Sequence, residues 1–176
     1  AIWISLKTAS LSIVITFFLG ILAAWWVVRM RSAKLKTVVD GLFTLPLVLP
    51  PTVAGFFLLY IFGVRRPVGQ FLLEVLGVKI VFTWWATVVA AVVISFPLMY
   101  RSARGAFQQV DETLVQAART IGMPAWKIFW RIIMPLALTG VASGGILAFA
   151  RGLGEFGATA MIAGNLAGET RTLPTA

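Results

Sequence analysis

The sequence contains no cysteine, no histidine and only six acidic residues among 176. Without cysteine the chain has no disulfide framework, no thiolate metal site and no cysteine nucleophile. Without histidine it also lacks the commonest general base and the commonest metal ligand. We therefore expect no catalytic residues, no metal site and no cofactor bound by this chain.

The chain as a whole is rich in apolar residues and poor in charged ones. The chain is 60% hydrophobic and 12% charged, whereas soluble domains average about 45–50% and about 25%. This balance predicts insertion into a lipid bilayer, and the seven tryptophans fit the aromatic belts found at membrane interfaces. The net charge of +9 lies mostly in loops between apolar runs, so membrane topology explains it better than binding to nucleic acid does.

Four apolar segments are long enough to cross a membrane, since a helical span needs about 20 residues. We predict an all-α polytopic membrane protein with one transmembrane domain over residues 1–176. The predicted spans cover about 2–28, 42–61, 80–99 and 136–163.

The distribution of Lys and Arg predicts the orientation. Loops 29–44 and 100–135 together carry nine of these residues, whereas loop 62–79 carries three. Cytoplasmic loops are enriched in Lys and Arg, so the first two loops are expected in the cytoplasm. The loop at 101–135 is the longer of these and becomes the candidate coupling loop.

Three prolines interrupt the second span at Pro46, Pro50 and Pro51. Proline removes a backbone donor and clashes with the preceding helical turn. One interpretation is a helix that begins near Pro51 after a buried entry loop. The other is a kink that lines a translocation path or gate, because irregular backbone at membrane depth survives only beside a cavity or inside protein.

Small and hydroxyl-bearing residues mark two of the spans. We expect them to serve close helix packing rather than substrate contact. They are Ser5, Thr8, Ser10, Ser12 and Thr16 in the first span, and Gly140, Ser143, Gly144 and Gly145 in the fourth.

Arg151 and Glu155 are charged residues inside the fourth apolar segment. They are four residues apart, so they can pair on one helix face. Charges at membrane depth are costly and usually face a cavity or a partner. The pair is either an intrahelical ion pair at the outer interface, or it places Arg151 beside a path that crosses the membrane.

The longest polar-bearing interval, residues 110–135, predicts a helical hairpin. Leu114, Ala117, Ala118 and Ile121 share one helix face. Gly122 then breaks the helix and Pro124 suits the start of a second one, which we expect Pro135 to end. The hairpin is either a docking surface for another protein or an amphipathic element lying on the bilayer.

The pattern Q-A-A-x3-G-x9-I-x-M-P in this hairpin resembles the E-A-A-x3-G-x9-I-x-L-P signature of ABC-importer permeases. Gln116 stands at the usual Glu position and Met134 at the usual Leu position. The resemblance implies that the hairpin docks into a cleft of an ATPase subunit. The implied docking residues are Gln116, Ala117, Ala118, Arg119, Gly122, Met123 and Pro124, and the remaining structural residues of the motif are Ile132, Met134 and Pro135.

Three further segments indicate which group of permeases the chain resembles. L-P-L-V-L-P-P-T-V-A-G at 45–55, F-A-R-G-L-G-E-F-G-A-T at 149–159 and G-E-T-R-T-L-P at 168–174 resemble permeases for tetrahedral oxyanions, and the last two are more similar to molybdate/tungstate permeases than to sulfate permeases. That family normally continues for another helix, so we expect this chain to lack its last one.

The resemblance implies a non-catalytic permease in the cytoplasmic, or inner, membrane of a prokaryote. The implied partners are a second permease, two ATPase subunits that bind ATP and Mg²⁺, and an extracytoplasmic oxyanion-binding protein. The expected function is import of molybdate or tungstate by alternating access, driven through residues 110–135. A sulfate or thiosulfate importer remains the alternative, and a membrane-bound enzyme or scaffold is a third, more remote one.

Overall fold

The structure is a computed structural model that describes residues 1–176, apart from the side chain of Leu76. Within the described residues it is helical, with no β-strand. In chain order the helices are α1 (Ile2–Val28), α2 (Ala33–Val48), α3 (Pro51–Phe62), α4 (Pro67–Leu76), α5 (Trp84–Gln108), α6 (Glu112–Thr120), α7 (Ala125–Ile128), α8 (Met134–Leu153) and α9 (Gly157–Ala163). A π-helical turn, Phe129–Ile133, joins α7 to α8, and a 3-10 turn covers Leu173–Thr175.

Helix α5 is the centre of the bundle, with α1 and α8 packed along it as its main neighbours. Its buried face includes Ile94, Met99 and Tyr100, which are almost wholly inaccessible to solvent. Apolar side chains fill the space between the three helices. The all-α polytopic fold that we predicted is confirmed.

Hydroxyl groups join α1 to α5, as the sequence predicted. Thr8 Oγ1 lies 3.1 Å from Thr87 Oγ1, and Thr16 Oγ1 lies 3.2 Å from Ser95 Oγ. Ser5 and Ser12 are buried on the same side of α1, whereas Ser10 is exposed. Hydrogen bonds between helices replace the water that a bilayer cannot supply, so these residues fix how α1 lies against α5.

Glycines on α8 allow it to approach α5 closely. A Cβ atom built on Gly140 would lie 2.6 Å from the Ala106 Cβ, and one on Gly144 would lie 2.5 Å from the Ser102 Cβ. Any larger residue at either position would push the helices apart. Ser143 is exposed instead of packed, so the predicted stripe of small residues is narrower than the sequence indicated.

Three helical stretches are long and apolar enough to cross a membrane: α1, α5 and the continuous helix over residues Ala125–Leu153. A fourth crossing is possible if α2 and α3 count as one broken span, and these two helices meet at an angle of 113°. The four predicted spans therefore correspond to three straight helices and one sharply bent pair.

The helix bounds differ from the predicted spans everywhere except in α1. The segment predicted as 42–61 is two helices, of which α2 begins nine residues earlier, at Ala33, inside the basic loop 29–44. The segment predicted as 80–99 begins at Trp84 and continues to Gln108. The segment predicted as 136–163 belongs to a helix that starts at Ala125 and stops at Leu153, with α9 after a break.

The position of the bend in the second segment follows from its prolines. Leu49 and Pro50 are extended, with ψ angles of 140° and 137°, because a residue before proline is driven out of the helical region. Pro51 then occupies the first position of α3, where its missing N–H costs nothing. Pro46 lies inside α2 and does not end it.

The prediction that Pro135 ends the second helix of the hairpin is wrong. Pro135 lies in the first turn of α8, directly after the π-helical turn. A π turn is wider than an α turn, so it relieves the clash between the proline ring and the preceding turn. The second helix of the hairpin and the span that follows are therefore one continuous rod.

Candidate functional site

The first helix of the hairpin begins at a capped end. Asp111 Oδ1 accepts a hydrogen bond of 2.9 Å from the Thr113 backbone N–H, and this bond holds the pKa of the Asp111 carboxyl below its usual value. Glu112 follows in the first turn and Arg119 lies in the last turn. Both charges complement the helix dipole, so α6 is stable as a short separate element.

A left-handed glycine turns the chain from α6 to α7. Gly122 has a φ of +80°, a conformation that costs other residues about 1–2 kcal/mol. The turn is closed by a hydrogen bond of 3.1 Å from the Met123 N–H to the Ala118 carbonyl. A Cβ on Gly122 would meet nothing within 4 Å, so glycine is required for its conformation and not for space.

One side of the hairpin is packed into the bundle. Ala118, Ile128, Phe129 and Ile133 are buried in the same core as α1 and α5. Ala118 is therefore a packing residue that faces its own chain, although we predicted that it would face a partner. Met123, Ile132 and Met134 are partly buried against this core.

The other side of the hairpin is open. Leu114 and Ile121 are exposed apolar side chains, and Ile121 keeps 79% of its surface accessible. Most of the predicted docking and motif residues are exposed as well, namely Gln116, Ala117, Arg119, Gly122, Pro124 and Pro135. The structure thus leaves these predicted residues accessible, together with the exposed apolar side chains of Leu114 and Ile121, which we call the ridge.

An aromatic cluster joins the hairpin to the membrane helices. The ring of Trp25 on α1 lies 4.6 Å from that of Phe129 and 6.0 Å from that of Phe107, and the two phenylalanine rings are 5.8 Å apart. Because packed aromatic rings resist independent movement, displacement of the hairpin would reach α1 and α5 together.

An ion pair that the sequence did not reveal links α2 to the same end of α5. Arg104 pairs with Asp40, and the Tyr100 hydroxyl donates a hydrogen bond of 2.9 Å to the same carboxylate oxygen. Phe43 packs edge-on against Tyr100 at 5.2 Å. A signal was present, since Asp40 is the sole acidic residue in the basic connector at 29–44, but no spacing rule connects it to Arg104.

The predicted pair of Arg151 and Glu155 is present at the end of α8. Glu155 Oε2 lies 2.8 Å from Arg151 Nη1, and Glu155 Oε1 accepts a hydrogen bond of 2.7 Å from the Ala158 N–H. The glutamate side chain is only 1% exposed, whereas that of Arg151 is 31% exposed. Glu155 therefore closes the break between α8 and α9 while Arg151 remains accessible.

The bend of the second segment lies against this break. A Cβ on Gly157 would lie 2.9 Å from the Pro51 Cβ, and one on Gly55 would lie 2.7 Å from the Ala158 Cα. Pro51 is thus brought next to the segment that carries Glu155. Pro50 is exposed in the extended link, and Pro46 lies before the bend inside α2.

Among the described residues, no group of three or more His, Cys, Asp or Glu side chains is placed to hold a metal ion. The predicted site residues instead lie in two places. One is the exposed hairpin, and the other is the bend at Pro50 and Pro51 beside the pair of Arg151 and Glu155.

Comparison with known proteins identifies the family. The family described as binding-protein-dependent transport system inner membrane component matches residues 16–175. A putative molybdenum transport system permease protein YvgM of Bacillus subtilis is 46% identical over 173 residues, covering 98% of this chain and 76% of the relative.

Two further relatives extend this comparison. The molybdenum transport system permease protein ModB of Escherichia coli K12 is 46% identical over 176 residues, covering 100% of this chain and 76% of the relative. A probable sulfate transport system permease protein cysT of Chlorokybus atmophyticus is 33% identical over 171 residues, covering 97% of this chain and 59% of the relative. The match to the family covers most of the chain, which therefore belongs to the binding-protein-dependent transport system inner membrane components.

Proposed function

We propose that this chain is the permease subunit of an ATP-driven importer that carries molybdate or tungstate into the cytoplasm. The observation that carries the proposal is the 46% identity over essentially the whole chain to permeases named for molybdenum transport, against 33% for one named for sulfate.

The proposed assembly contains two copies of the permease, two ATPase subunits and an extracytoplasmic oxyanion-binding protein, in the cytoplasmic membrane of a prokaryote. The ATPase subunits bind ATP and Mg²⁺, and this chain binds neither. The positive charge of the connector and the hairpin supports a cytoplasmic position for both. The exposed ridge of Leu114 and Ile121, with Gln116 and Ala117 beside it, supports docking to the ATPase.

The proposed mechanism is alternating access driven from the hairpin. ATP binding closes the ATPase dimer and carries residues 110–135 with it. The rod over residues 125–153 and the aromatic cluster around Trp25 convey that displacement to α8, α1 and α5. Arg104 conveys it to α2 through Asp40. The permease dimer then opens outward to receive the anion, and hydrolysis resets it.

Two roles for the Arg151 and Glu155 pair remain in this proposal. In the first, Arg151 supplies positive potential along the path of the oxyanion, which its accessible side chain supports. In the second, the pair anchors α9, which the hydrogen bond from Ala158 supports. A path must release its ion as well as accept it, so tight selection of the anion belongs to the binding protein.

Uptake by the purified complex in liposomes tests the proposed function. With binding protein outside and ATP inside, labelled molybdate should accumulate, and a hundredfold excess of tungstate should abolish the uptake. The same excess of sulfate should leave it nearly unchanged. Sulfate competition as strong as that of tungstate would favour the alternative of a sulfate or thiosulfate importer, which the similarity to the cysT relative supports.

A further inference from the structure

Two cavities meet at the base of α1 beside the hairpin. The first is an apolar groove of about 720 Å³ between α1 and the rod, bounded by residues from Phe17 to Arg29 on one side and from Ala125 to Met134 on the other. The second, of about 780 Å³, opens under α6. Trp25, Arg29 and Ala125 line both, so the two spaces adjoin each other.

The groove has the length of one bilayer leaflet. Phe17 and Arg29 are 12 positions apart on α1, which corresponds to about 18 Å along a helix. Half of the hydrocarbon thickness of a bilayer is about 15 Å. The walls of the groove carry exposed apolar side chains that face outward, among them Phe18, Leu22 and Trp130. An acyl chain lying along α1 would cover them.

The second cavity carries positive charge where the groove ends. Arg29, Arg31 and Arg119 line it, with Glu112 as its one acidic residue. The Arg29 guanidinium lies 5.2 Å from the centre of the Trp25 ring, which places it at the boundary between the two spaces. Guanidinium groups bind phosphate oxygens with two parallel hydrogen bonds.

Trp126 and Trp130 form the rim of the groove on the rod, and both are more than half exposed. Tryptophan is typical of the headgroup level of a bilayer, where its ring is apolar and its N–H reaches water. An apolar groove with tryptophans and positive charge at one end matches the chemistry of a phospholipid, in which an apolar chain ends in a polar headgroup. Arg29 lines the groove itself, and Arg31 and Arg119 line the second cavity, so the positive charge is concentrated at the headgroup end.

We propose that the adjoining cavities bind one anionic phospholipid, with an acyl chain in the groove between α1 and the rod and its phosphate at Arg29, Arg31 and Arg119. The lipid would then touch α1, α6 and the rod together. It would support the hairpin from the membrane side and leave its exposed ridge free. This site shares Arg119 with the residues implied for ATPase docking, but its lining does not include Leu114 or Ile121.

Retention of lipid by the purified complex tests the proposal. The complex is equilibrated with equal amounts of phosphatidylglycerol and phosphatidylcholine, and native mass spectrometry counts the lipid that remains bound. The preference for phosphatidylglycerol should be about tenfold, given the attraction between anionic lipid and three nearby arginines. Changing Arg29, Arg31 and Arg119 together to Gln should abolish the preference.

Two control variants make the result specific. Changing Arg65, Arg66 and Lys79 to Gln removes the same charge from loop 62–79 and should leave the preference intact. Leu22→Trp fills the groove and should reduce retention of both lipids while the complex stays assembled. Equal retention of the two lipids by the wild type, or an unchanged preference after loss of the three arginines, would overturn the proposal.

A protein occupant gives a different result. The chain has no cysteine, so Leu22→Cys provides a single reactive site in the groove. Photo-crosslinking of a maleimide–benzophenone probe on this cysteine to another polypeptide of the complex, with no lipid retained by the wild type, would assign the groove to a protein contact and contradict the lipid site.

Discussion

One ion pair involves α5 and a second lies at the end of α8. The two pairs differ in their exposure to solvent and in the separation of their partners along the chain. Arg104 and Asp40 are 64 positions apart, belong to different helices and are both partly exposed. Arg151 and Glu155 are four positions apart, and the glutamate is sealed from solvent. A Cβ on Gly152 would contact Ala91, which lies 13 residues before Arg104 and corresponds to about 20 Å along α5. The hairpin end and the Glu155 end of the bundle are therefore distinct regions.

The difference shows which region is able to move. A partly exposed ion pair contributes about 0–1 kcal/mol, because water screens the charges and can replace either partner. Removal of the buried Glu155 carboxylate costs about 1–3 kcal/mol, since the buried Ala158 N–H would lose its hydrogen-bond acceptor. The hairpin end can break and re-form its contact at small cost, whereas the Glu155 end cannot. This is the distribution expected of a machine that is driven from the hairpin.

The largest effect should follow Glu155→Ala. It leaves the buried Ala158 N–H without its acceptor and Arg151 without its ion-pair partner, and we expect a loss of about 2 kcal/mol in the free energy of unfolding. Denaturant unfolding of the detergent-purified complex, followed by tryptophan fluorescence, measures it. The exposed Glu169 provides the control, and Glu169→Ala should change little. A loss below about 1 kcal/mol for Glu155→Ala would contradict the expected difference in stability between the hairpin end and the Glu155 end of the bundle.

Gly122→Ala tests the hairpin end through its turn. A φ of +80° should make alanine about 1–2 kcal/mol less stable there. Gly105→Ala is the matched control, because Gly105 also has open space around it but lies inside α5, where alanine is favoured by about 0.5–1 kcal/mol.

Hydrogen exchange measures the local consequence of this pair of variants. With Gly122→Ala, the amides of α6 and α7 should exchange faster while those around Glu155 stay protected. Uniform acceleration over both ends would mean that the hairpin is not a separately movable unit.

Asp40→Ala should cost about 1 kcal/mol, because its partner Arg104 is partly exposed. The double variant Asp40→Arg with Arg104→Asp restores an attractive ion pair in which the two charges have exchanged positions. A double-mutant cycle on transport rate should therefore show recovery in the swapped protein. If the swap transports no better than the two single variants, Arg104 does not convey movement to α2 through this pair.

The smallest effect concerns acid pH and the cap of α6. The hydrogen bond from the Thr113 N–H lowers the pKa of Asp111 below the ordinary value of 3.8, so the folded state binds the proton less readily than the unfolded state does. The cap therefore contributes in full above pH 3.8 and loses its contribution as the pH falls through the lower folded pKa.

Hydrogen exchange of α6 checks this effect as well. Protection should be constant between pH 7 and pH 5 and should decline below pH 3.8. Asp111→Asn keeps a capping side chain without a charge, so it should remove the decline. A decline that persists in Asp111→Asn would have another origin.

Much of this architecture was predictable because it depends on local chemistry. The bounds of α1, the turn at Gly122 and the pairing of Arg151 with Glu155 follow from the local sequence. The packing role of Thr8 and Thr16 was predicted too, but their partners Thr87 and Ser95 lie on α5, 79 positions away.

The remaining features depend on tertiary contacts that spacing does not encode. The pair of Asp40 and Arg104 joins residues brought together by packing alone. The continuity of the rod through Pro135 required a π turn that hydrophobic periodicity does not distinguish from an α turn. The burial of Ala118 depends on which side of α6 the bundle offers, and the hydrophobic pattern allowed the opposite orientation.

The central claim is that the hairpin couples an ATPase to the passage of molybdate or tungstate. ATPase activity of the complex in liposomes, with binding protein and one oxyanion at a time, tests it most directly. Molybdate or tungstate should stimulate hydrolysis and sulfate should not, and Gly122→Asp should abolish the stimulation in an assembled complex. Stimulation by sulfate alone would contradict the proposed substrate, and full stimulation of Gly122→Asp by molybdate would contradict coupling through the hairpin.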